Sequence, residues 1–93
     1  MAFDSDISVK GAAANATTTV SAARTRLKGF IIGVGAGNGT VTFNDGGTAV
    51  FNVAVIGGTS DVSMNIPENG VLFKSNLNVV TVNTTVNVFY TGA

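Results

Sequence analysis

Apolar residues recur along this chain with a period of two rather than 3.6, the spacing of half-buried strands. Val41 and Phe43 alternate with Thr40, Thr42 and Asn44. Ala49, Phe51, Val53 and Val55 line one face of residues 49–56, while Val50 and Ile56 make the other face apolar too, as in a central strand. Val62, Met64 and Ile66 alternate with Asp61, Ser63 and Asn65 until Pro67, which cannot donate to a ladder and fits a strand end. Residues 24–34 form a long strand and 71–73 a short one, and residues 77–82 and 86–90 flank Asn83-Thr84-Thr85 as a hairpin. Turn residues cluster between these runs, at Gly35–Gly39, Asn44–Gly47 and Pro67–Gly70.

Seven to nine short strands joined by short connections predict an all-β fold, a compact antiparallel β-sandwich or jelly-roll-like barrel. Parallel crossovers need a dozen or more residues, so linkers this short predict antiparallel meanders. Phe43, Phe51, Val53, Val62, Met64, Phe73 and Val88 are the expected core. The start of the chain is less regular. Ile7-Ser8-Val9 reads as a strand, Ala12–Ala16 as a helical turn or extended chain, and Thr17–Val20 as β-branched and extended. Residues 1–20 are therefore expected to be an extended N-terminal arm of a single domain spanning 1–93, ordering on a neighbour because they bury little surface alone.

Composition sharpens this picture. At 93 residues the chain suits one domain, and folding buries only about 60% of the surface of a chain so short. Charged residues make up 11% of the sequence, against about 25% in an average soluble domain, and twelve Thr and ten Asn supply much of the polarity. Such a neutral, hydrogen-bonding coat fits a surface that neighbouring subunits cover; the plainer reading is a stable monomer with a Thr/Asn skin. Formal net charge is zero, which provides no general attraction to nucleic acid or acidic membranes. No apolar run reaches the 18 residues of a membrane helix. Residues 1–10 carry Asp4 and Asp6 and lack a secretory pattern, so the product is expected to stay in the producing cell or enter a particle there.

Little chemistry is on offer. The chain has no cysteine and no histidine, which removes thiolate nucleophiles and the usual neutral-pH acid/base and metal ligand. Gly33–Gly39 lacks the spacing and the following helix of a phosphate-binding loop and reads as a hairpin turn. Neither Asp4 with Asp6, nor Asp45 with Asp61 and Glu68, has the spacing of a cation loop, and Asp45 before two glycines is a turn-former. No serine has a histidine base, and no catalytic motif surrounds Lys10, Lys28 or Lys74. The expectation is a protein that is not an enzyme and takes no cofactor or metal. Asn15, Asn38 and Asn83 each begin an Asn-x-Thr triplet, as chance allows in a chain this rich in both residues, and no glycan is assigned.

Arg24, Arg26 and Lys28 form the one charge cluster, and at strand spacing they project as a basic row about 13 Å long. Two readings stand. The charges guard an edge or solvent-facing strand against sheet-to-sheet pairing, or they dock an acidic partner surface. Nucleic acid fits less well, since Thr25 and Leu27 between them offer no stacking platform. The same parity continues through Phe30, Ile32 and Val34, so this face is expected to begin basic and end apolar.

The segments Thr19–Phe30, Gly39–Gly47, Ile66–Phe73 and Val86–Tyr90 together resemble small virion proteins of tailed bacteriophages, the head-decoration or capsid-cement class. That resemblance implies a β-sandwich or jelly-roll-like module in the virion, commonly a homotrimer, that binds the lattice of the major capsid protein from outside and reinforces it. Arg24, Arg26 and Lys28 are then the expected docking contacts. An alternative is the glycan-binding tip of a tail fibre or spike, which needs aromatic rings to meet sugar faces.

Overall fold

The computed structural model describes residues 7–66 and 70–92. These residues are all β, with nine strands: β1 (Ser8–Ala12), β2 (Thr17–Ser21), β3 (Thr25–Val34), β4 (Gly39–Asp45), β5 (Thr48–Val55), β6 (Val62–Asn65), β7 (Val71–Phe73), β8 (Leu77–Val82) and β9 (Thr84–Gly92). They pack as two antiparallel sheets, a five-stranded one in the order β1-β9-β3-β6 with β7 also on β3, and a four-stranded one in the order β2-β8-β4-β5. The pairings nest: β1 with β9, β2 with β8, β3 with β6 and β7, and β4 with β5. A long hairpin rolled up on itself has this wrapping, so of the two expected architectures the topology is the jelly roll.

The connections differ from the expected meander. β4 and β5 form a hairpin, closed by Gly46 and Gly47 in left-handed conformations, whereas most other connections carry the chain from one sheet to the other. Gly35–Asn38 and Asn83, expected as hairpin turns, are arches between sheets. Alternation reveals which face of a strand is buried but not which strand lies beside it, and a short loop can serve either connection. Of residues 1–20, expected as an arm, 8–12 form the edge strand β1 and 17–20 lie in the edge strand β2, and Ala12 and Val20 enter the core. Residues 1–6 lie outside the described residues.

The core lies between the sheets. Leu27, Phe30, Ile32, Phe73, Val86 and Val88 from one sheet meet Val41, Phe43, Leu77 and Val79 from the other, each nearly or wholly inaccessible to solvent. Three rings bridge the layers: Phe30 lies 5.1 Å from Phe43 and 6.5 Å from Phe51, and Phe43 stacks on Phe51 at 4.7 Å. Of the expected core, Phe43, Phe73 and Val88 are fully buried, and Phe51, Val53 and Val62 pack against it from the margin. Met64 pairs with Phe30 in the right phase but sits on an outer strand and remains 49% exposed. β5, expected to be central, is the edge of its sheet, so its second apolar face meets solvent.

A bulge at Lys28 decides which way the basic row points. On β9, Leu27 pairs with Tyr90 and Gly29 with Phe89, leaving Lys28 as the extra residue. Thr25 and Leu27 face inward before it and Phe30 and Ile32 after it, so odd positions give way to even ones. Arg26 and Phe30 consequently lie on opposite faces, and the expected basic-to-apolar face does not exist. On the other side of β3, the partner strand is interrupted at the same place. Ile66 N–H donates to the Lys28 carbonyl at 2.9 Å, and the chain returns at Gly70, whose φ of +72° and contact with the Leu27 carbonyl leave no room for a Cβ.

Truncating Phe30 removes the ring that joins both sheets. Phe30→Ala should cost about 3–5 kcal/mol in urea unfolding, whereas Met64→Ala should change stability by less than about 1 kcal/mol; equal costs would contradict this core.

Candidate functional site

Loops close the sandwich at its two ends, and each end is held by polar side chains. At one end, Asn15 Oδ1 accepts from Asn83 N–H at 3.0 Å, Asn83 Nδ2 donates to the Asn38 carbonyl at 3.1 Å, and Asn38 Oδ1 accepts from Gly57 N–H at 2.9 Å. These are the three residues that begin the Asn-x-Thr triplets. Asn15 and Asn83 adopt φ of 55° and 57°, a left-handed conformation that Asn tolerates better than most residues. Buried Thr81 completes the end, its hydroxyl donating to the Ala13 carbonyl at 2.6 Å. The triplets thus tie arches together.

At the other end, Asp45 holds the β7–β8 turn. Its carboxylate accepts from the backbone N–H groups of Lys74 at 2.8 Å, Ser75 at 3.0 Å and Asn76 at 3.5 Å, while Asn76 Oδ1 accepts from Gly46 N–H at 2.9 Å. The amides of Ser75 and Lys74 hold the Asp45 carboxyl below its ordinary range; desolvation opposes them, and the Asn76 amide and the Lys74 charge add to them. Asp61 lies at the opposite end, accepting from Val34 N–H at 3.1 Å. The length of β4, about 20 Å, separates the two acids, so they share no cation site. Glu68, Asp4 and Asp6 fall outside the described residues.

The sequence-predicted basic row is divided by this geometry. Arg24 is exposed in the turn before β3, Arg26 is half-buried between Leu72 and Thr91, and Lys28 occupies the bulge. All belong to the five-stranded sheet or to the turn leading into it. β3 is an inner strand, flanked by β9 on one side and by β6 and β7 on the other, so these charges do not guard an edge.

The four-stranded sheet is the opposite in character. Among all residues of β2, β4, β5 and β8 only Asp45 is charged, and it is engaged at the strand end by the turn amides. Register sets its outer rows: Thr17, Val80, Thr42 and Asn52 lie abreast, with Thr19, Asn78 and Asn44 on one side and Thr40 and Ala54 on the other. Asn78 Oδ1, toward the Asp45 end of this face, is shielded from solvent and accepts no hydrogen bond among the described residues. Toward the Asn-linked end the face dips into a depression of about 500 Å³ bordered by Thr40, Ala54, Ile56 and Val82, and a second of about 350 Å³ lies across Val82, beside Asn15 and Thr17. Ile56 is 69% exposed and Val82 45%. An uncharged floor of this kind can pack and hydrogen-bond.

No family model matches this chain, and no curated protein or solved structure is significantly similar to it.

The uncharged face is not legible in the chain, because alternation marks Thr and Asn positions as solvent-facing without saying that they share a sheet. The Asp45 latch predicts a pH dependence with a definite sign. A carboxyl whose folded-state pKa is depressed stabilises the fold above its unfolded pKa, and that contribution fades as pH falls through the ordinary carboxylate range. The thermal midpoint should therefore drop between pH 6 and pH 3, and drop less in Asp45→Asn; equal drops in both proteins would remove Asp45 from this role.

Proposed function

We propose that this chain is a non-enzymatic virion protein that docks the uncharged outer face of its four-stranded sheet onto the outside of an assembled phage capsid, as a decoration or cement protein. The observation that carries this reading is the segregation of charge: one sheet holds Arg26, Lys28 and Lys10, and the other presents rows of Thr, Asn, Val and Ala. A face without charges avoids the cost of stripping water from ions, which makes it the cheaper of the two to bury. Burying about 800 Å² per subunit reaches the size of an ordinary specific interface, and many copies on a repetitive lattice reinforce a shell without strong single contacts. Jelly rolls serve viral capsids, and also lectins and cupins, so the fold agrees with the reading without selecting it.

This reading moves the docking contacts away from Arg24, Arg26 and Lys28. The glycan-binding alternative gains little from the geometry. Phe30, Phe43 and Phe73 are buried, Phe51 and Tyr90 pack against the core, Phe89 is half-buried on the outer face of the five-stranded sheet, and no ring borders either depression.

Co-sedimentation with undecorated capsids tests the docking face. Retention should persist from low to high salt, because apolar and neutral contacts are not screened. Thr42→Lys or Val80→Lys should reduce it at least about tenfold by burying an unpaired charge, while Arg26→Ala leaves it unchanged. Retention that collapses with salt, or survives the lysine substitutions, contradicts the assignment.

A further inference from the structure

We propose that β5 is a self-pairing edge: two copies of this chain join antiparallel through Thr48–Val55, extending two four-stranded sheets into one of eight strands. Natural edge strands are blunted by shortness, charge, proline or bulges. β1 carries Lys10 at its centre and has five residues, β2 has five with a register break opposite β8, and the β6–β7 edge is broken into pieces of four and three residues. β5 has eight residues, and the whole stretch 46–60 contains neither a charge nor a proline. It does carry one bulge, with Val50 as the extra residue between Ala49 opposite Asn44 and Phe51 opposite Phe43; the bulge lies toward the hairpin and leaves Phe51–Val55 in unbroken register. Among the described strands β5 pairs with β4 alone, so its other edge presents unpaired backbone donors and acceptors, with Val50 44% exposed beside them.

An extended strand is the partner this chemistry accepts, and the absence of charge selects a second copy. Across a two-fold axis residue i of one copy meets residue j of the other and j meets i, so two copies of one strand face each other and any net charge on the strand opposes itself. Residues 46–60 carry none. Pairing of this kind closes at two copies, in place of the threefold arrangement that the resemblance implies, and it doubles the width of the uncharged face.

Sedimentation velocity of the full chain over about a hundredfold range of concentration tests the pairing. A reversible dimer is expected. Asn52→Lys and Asn52→Glu, both on the exposed outer row of β5, should each weaken it about tenfold or more while far-ultraviolet circular dichroism stays that of the folded β protein. Mixing the two variants in equal amounts should restore the dimer. Ala54→Lys with Ala54→Glu repeats the test should a variant at Asn52 fail to fold. A monomer at every concentration, a trimer, or single variants that dimerise as well as the parent overturns the proposal. Because no capsid enters the experiment, its outcome is independent of the docking assignment.

Discussion

Contact between the two sheets through one thin layer of side chains is the constraint on which the rest depends. Phe30 reaches across from the five-stranded sheet to Phe43 and Phe51 on the other, and around these rings the remaining buried residues are mostly Val, Leu and Ile. In a two-layer fold each strand buries one face only, so half of every sheet must meet water or another molecule. In a chain with ten charged residues, the distribution of those few charges decides which outer face is cheap to cover.

That distribution follows the topology. Nested pairing sends alternate segments to alternate sheets, and the Arg24–Lys28 cluster travels with β3 while the Thr- and Asn-rich segments β2, β4 and β8 assemble on the far side. The bulge at Lys28 reverses the phase of β3, so Leu27 and Phe30 can both face the core while Arg26 stays outside. Without that extra residue, either the basic side chains or the apolar ones would point the wrong way. The ends of the sandwich are locked by different chemistry, neutral amides at Asn15, Asn38 and Asn83 and one carboxylate at Asp45, which leaves the sheet faces clear.

Much of this was legible in the residues and some was not. Alternation located β3 to β8 nearly to their ends, and Asp45-Gly46-Gly47 marked the one tight hairpin between long strands. Partnership was not legible: Asn83 and Gly35–Asn38 look like hairpin turns locally, and only the competition of all strands for two sheets makes them arches. β5 looked central because both its faces are apolar, yet it is an edge. The bulge gave no local signal, since Lys28-Gly29 satisfies a regular strand as well as an interrupted one. The basic row was visible as a cluster and misplaced as a face, whereas the uncharged face is assembled from four separate segments and exists only after folding.

Covalent footprinting with a small diffusible carbene, on free protein and on protein bound to capsids, tests the central claim most directly. Labelling should fall on binding at Thr42, Asn52, Val80 and Val82, with Val9, Arg26 and Ile31 on the other sheet labelled as before. Protection confined to the five-stranded sheet, or absent from both, would contradict that claim.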